Sequence, residues 1–124
     1  MTGEELRQAI RSLLGSHPSI SPSDAGHVAH VERYITRDGV PIGFEPERIR
    51  LQNLWVRADS VRLHRLKDIQ HTYFDSTTFE ESKPNHNLYG EPQFKDCDLI
   101  RFGVKSLWQA VRVVREAAGE GALK

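Results

Sequence analysis

The chain has a single cysteine, Cys97, so no disulfide can form within it. That excludes the cross-linked scaffolds on which small secreted domains depend, and a lone thiol suits a reducing compartment. Nowhere is there a run of about 18 apolar residues, so no membrane-spanning helix and no membrane partner are expected. The opening stretch, MTGEELRQAIRSLLG, places Glu4 and Glu5 early and lacks a continuous apolar segment, so it is not read as a secretory signal. These absences together point to a cytoplasmic protein. Net charge is also missing, because 17 basic side chains meet 17 acidic ones. A neutral whole disfavours indiscriminate binding to polyanions. Gly26, Gly39, Gly43, Gly90 and Gly103 never fall into GxGxxG or GxxxxGK[ST] spacing, so nucleotide binding of those two kinds is disfavoured, and no cofactor is expected.

What is present suits one domain spanning residues 1–124. The chain is long enough to bury a core without staples, and two Trp, five Phe and three Tyr supply large core candidates. The balanced charge is unevenly distributed along it. Arg48, Arg50, Arg57, Arg62, Arg65 and Lys67 face only Asp59, whereas Asp75, Glu80, Glu81, Glu91, Asp96 and Asp98 face Lys83 and Lys95.

The periodicities predict an α+β fold: a mostly antiparallel sheet of four or five strands with a helix at each end of the chain. Residues 2–14 read as a helix capped by Thr2, with Glu5 completing a capping box and Gly15 as a stop. Residues 16–26 read as loop. Residues 28–44 read as a hairpin turning at Asp38-Gly39, with Pro41 marking its second arm as an edge or an irregular strand. RIRLQNLWVR, residues 48–57, is the strongest strand, and its shift of apolar parity implies a bulge near Gln52-Asn53 or burial on both faces. A short helix is expected from Asp59 or Ser60 to Leu66, then a strand at 70–74, a long polar connection at 75–97 and a strand at 98–104. Ser106 caps a last helix, with Leu107, Trp108, Val111 and Val114 expected inward, Arg112 and Arg115 outward, and Gly119 as its end.

No recognised catalytic spacing joins the polar residues, and whether the chain is an enzyme is left open. The favoured function is a non-catalytic binding module for nucleic acid or a protein partner. Its expected binding residues are Arg48, Arg50 and Arg57 of the basic strand, with Asn85, His86, Asn87 and Tyr89 of the polar connection. Arginines meet phosphates or carboxylates bidentately, and Asn, His and Tyr can read or stack on a ligand edge. The rival is a small hydrolase or nuclease using His71, Asp75 and His86, with or without a metal. His27 and His30 could join His71 or His86 around zinc on helical spacing, but a strand sends them to opposite faces, and no metal site is expected. A homodimer with a purely structural role is the third reading.

Overall fold

The computed structural model describes residues 2–23, 31–46, 52–78, 94 and 96–119. An N-terminal helix, α1 (Gly3–Ser16), leads into six strands: β1 (Ile20–Pro22), β2 (Glu32–Thr36), β3 (Pro41–Glu45), β4 (Gln52–Arg57), β5 (His71–Phe74) and β6 (Leu99–Val104). A second helix, α2 (Leu107–Ala117), follows. The strands form one sheet in the order β1-β2-β3-β4-β6-β5, with every neighbouring pair antiparallel. Both helices pack beside each other on one face. Among the described residues no helix is long and apolar enough to cross a membrane.

The expected capping box starts α1. The Thr2 hydroxyl accepts from the Glu5 amide at 3.1 Å, and the Glu5 carboxylate accepts from the Thr2 amide at 2.9 Å. Gly15 does not stop the helix, which runs on through Ser16. Leu6, Ile10 and Leu14 then face the sheet, where Ile42, Phe44, Leu54, Val56, Ile100, Phe102 and Val104 meet them in the main core. On the opposite face Trp55, Phe74, Leu99, Val31 and Phe94 form a smaller cluster. There the Trp55 indole N–H and the Asn53 amide both donate to Glu45 Oε1, at 3.1 and 3.2 Å. The Arg101 guanidinium lies over the Trp55 and Phe74 rings. Side chains alternate across β4, with Leu54 and Val56 on the helix side and Trp55 behind, so the strand is covered on both faces, while Ile49 and Leu51 lie outside the described residues. β4 keeps an unbroken register against β3 and β6, so no bulge is needed at Gln52-Asn53.

Four other expectations change. Among the described residues the sheet has six strands, because Ile20–Pro22, inside the expected loop, pairs with β2. β3 lies inside the sheet, not at its edge. Pro41 is tolerated there as the first residue of its strand. The hairpin turn itself holds, with Gly39 at φ +85° supplying the left-handed residue. The short helix after β4 is two separate 3₁₀ turns, Ala58–Ser60 and Leu63–Arg65.

The fourth change is the face of α2. Ala110, Val113, Val114 and Ala117 are its buried residues facing the core, and Trp108 is 62% exposed. Trp108 was expected inward with Leu107 and Val111, but both of those are only half-buried. Two alanines let the helix axis approach the sheet closely, which the bulk of an indole would prevent. Ser106 caps the helix by accepting from the Gln109 amide at 3.2 Å, and Gly119 ends it at φ +78°.

Candidate functional site

The chain passes from β4 to β5 without pairing them, because β6 lies between. The crossover, residues 58–70, runs beside α2 and is anchored in the main core by Leu66 and Ile69. Its polar side chains meet the helix. Arg62 Nε and its own amide donate to Glu116 Oε1 at 2.6 and 3.2 Å. Burial pushes the Glu116 carboxyl up, but the Arg62 hydrogen bonds outweigh it and hold the group below its ordinary value. Arg112 forks onto both oxygens of Asp68 at 2.6 and 2.8 Å, and also donates to the Arg65 carbonyl at 2.9 Å. That bidentate bond holds the Asp68 carboxyl low.

A basic surface results. Residues 61–68 and 105–119 contribute Arg62, Arg65, Lys67, Lys105, Arg112 and Arg115, with only Asp68 and Glu116 as carboxylates. Both carboxylates are engaged by arginines. Lys67, Lys105 and Arg115 are exposed, as is Trp108. Half of the Arg-rich stretch singled out in the sequence therefore converges with α2. Trp108, Arg112 and Arg115 were not expected to take part. Their signal was the i, i+4, i+7 spacing, which sets three residues in one helical stripe.

Of the expected binding residues, Arg57 alone is described. It ends β4, and its guanidinium donates to Asp59 at 2.8 Å. Arg48, Arg50, Asn85, His86, Asn87 and Tyr89 lie outside the described residues, as do His27 and His30. His71 opens β5 and Asp75 follows it, and the two are engaged separately. The His71 ring packs on Phe102, and its Nδ1 lies 2.8 Å from the Ile69 carbonyl, which can only accept, so Nδ1 carries a proton. Asp75 accepts from the Thr77 amide and hydroxyl at 2.9 and 2.7 Å, a local turn-forming arrangement. Among the described residues no group of three His, Cys, Asp or Glu is placed to hold a metal.

A cleft of about 510 Å³ opens at the β5 end of the sheet, lined in part by Arg57, Asp59, Tyr73, Asp96, Cys97 and Asp98. The Tyr73 hydroxyl donates to Asp98 Oδ2 at 2.5 Å, and that bond, with some burial, pushes the phenol up to about 12. Asp98 also accepts from the Ser76 amide at 2.9 Å, and this donor with Tyr73 holds its carboxyl below the usual range. Burial pushes the Cys97 thiol up, and the carboxylates of Asp59, Asp98 and Asp96 add to the rise against the opposing Arg57. Its S–H donates to the Phe94 carbonyl at 3.0 Å. At neutral pH the cleft thus offers a protonated thiol, a protonated phenol and a hydrogen-bonded carboxylate. Neither a nucleophile nor a base poised near neutrality results from these groups.

No protein-family model matches the chain, and no curated protein or solved structure is significantly similar to it.

Proposed function

We propose that this protein is a nucleic-acid-binding module whose binding surface is formed by the β4–β5 crossover and the outer side of α2. One observation carries the reading. The fold brings together six cationic side chains from residues 61–68 and 105–119, and the two carboxylates of those residues, Glu116 and Asp68, pair with Arg62 and Arg112 and leave an excess of positive charge. A phosphate backbone is the ligand such a surface complements, since Arg forks bind phosphate oxygens and Lys adds unspecific positive charge. The zero net charge is no obstacle, because screening limits the ligand to the charges within about 10 Å of it. The charge state of the β5 cleft supports binding over catalysis in the same direction, as neither Cys97 nor Tyr73 is activated.

Labelled oligonucleotides of unrelated sequence test this at low salt. All are expected to bind with similar affinity. Lys67→Glu and Arg115→Glu are expected to weaken every one alike, because phosphate contacts carry no sequence information. Arg62 and Arg112 are unsuitable for this test, since removing either strips a carboxylate of its partner. Absence of binding at low salt would remove the proposal.

A further inference from the structure

We propose that the outer face of α2 is a docking strip for single-stranded nucleic acid, on which an unstacked base lies against Trp108 while Arg115 faces the backbone phosphates. The proposal rests on the nucleic-acid reading above and adds the strand state of the ligand.

Trp108 is 62% exposed, and among the described residues only Tyr73 is another large hydrophobic side chain left in water. Scattered exposed apolar residues are ordinary on protein surfaces. What distinguishes Trp108 is its company. Residues 108, 112 and 115 follow one stripe of the helix, over about 10 Å at the usual rise of ~1.5 Å per residue. Val111 flanks the stripe half-buried, and exposed Lys105 precedes the Ser106 cap. Across from Arg112 the crossover supplies Arg65 and Lys67.

Charge complementarity selects an anionic occupant, and the indole selects among anions. A nucleobase offers a flat π face to an aromatic ring, which an acidic peptide does not. In a duplex the bases already stack on one another and their faces are closed to a side chain. In a single strand they are open, and stacking on aromatic residues is how sequence-tolerant single-strand binders hold them. The stripe sits on a helix whose other side is fixed in the main core, so the platform is rigid before the ligand arrives.

Intrinsic fluorescence tests the proposal on the intact chain. There are two tryptophans, and Trp55 is 1% exposed with its N–H bonded to Glu45, so any ligand-induced change reports Trp108. Oligothymidylate is expected to quench the emission, and a blunt duplex of equal length is not. Single-strand affinity is expected to exceed duplex affinity, and Trp108→Ala to lower it about tenfold or more, with Trp108→Phe recovering part of the loss. Duplex binding should be unchanged by either variant. Equal affinity for both ligands, unaffected by Trp108→Ala but weakened by Arg115→Glu, would overturn the single-strand assignment and leave the nucleic-acid reading standing. Failure of the wild type to bind either oligonucleotide at low salt would overturn both. Binding of polyglutamate or of anionic lipid vesicles in their place would do the same.

Discussion

Trp55 and Trp108 are one residue type in opposite surroundings, and their replacement separates packing from surface function. Trp55 fills the second cluster between Phe74 and the Arg101 guanidinium, so Trp55→Ala is expected to cost roughly 3–5 kcal/mol in denaturant unfolding. Trp108→Ala is expected to change stability by no more than about 0.5 kcal/mol, as exposed substitutions do. Sequence reading placed Trp108 inward because Leu107, Val111 and Val114 make a plausible apolar stripe with it. Ala110 and Ala117 carry little hydrophobic signal, yet they form the contact that sets the rotation of the helix. A second prediction at this scale concerns Tyr73 and Asp98. The phenol is raised from 10.0 to about 12, so the stability it adds is complete below pH 10 and is lost as pH rises towards 12. Asp98 is lowered from 3.8, so its contribution is complete above that value and is lost as pH falls through the depressed one. Ultraviolet titration of the phenols should show one group returning towards 10.0 in Asp98→Asn. An unchanged titration would contradict the bond. Cys97, raised chiefly by burial, is expected to react with a thiolate-directed reagent more slowly than free cysteine near neutral pH.

The secondary-structure elements were legible in proportion to the local chemistry that defines them. The capping box of α1, the Asp38-Gly39 turn and the Ser106 cap each rest on a few neighbouring residues, and each is found where the sequence puts it. Thr2→Ala is accordingly expected to cost about 1 kcal/mol of stability, measured by denaturant unfolding, through the loss of one satisfied helix-terminal amide. No cost would show that α1 is held by its buried face alone. β1 was not legible, because three residues ending in proline have no period to read. Its existence depends on the partner β2, which lies outside its own segment. The interior place of β3 was hidden for a similar reason, since Pro41 argues for an edge until its position as the first strand residue is known. The long connection at 75–97 begins as a 3₁₀ turn at Ser76–Thr78, and its expected binding residues fall outside those described.

At the scale of the whole molecule, the charges of the described residues are unevenly placed. Cations gather along residues 62–67 and α2, while Asp59, Asp96 and Asp98 line, with Arg57, the cleft at the β5 end of the sheet. The sequence showed the basic run from Arg48 to Lys67 but not its meeting with α2, because that contact joins residues far apart in the chain, such as Arg62 and Glu116. Binding governed by such a surface must depend on salt even though the net charge is zero. The most direct test is the slope of log affinity against log salt for one single-stranded oligonucleotide, wild type beside Lys67→Glu and Arg115→Glu. The wild-type slope is expected to correspond to several phosphate contacts at roughly −0.7 each, and each variant to make it shallower by about one contact or more. A wild-type affinity that does not vary with salt, or variants that keep the full slope, would contradict the account.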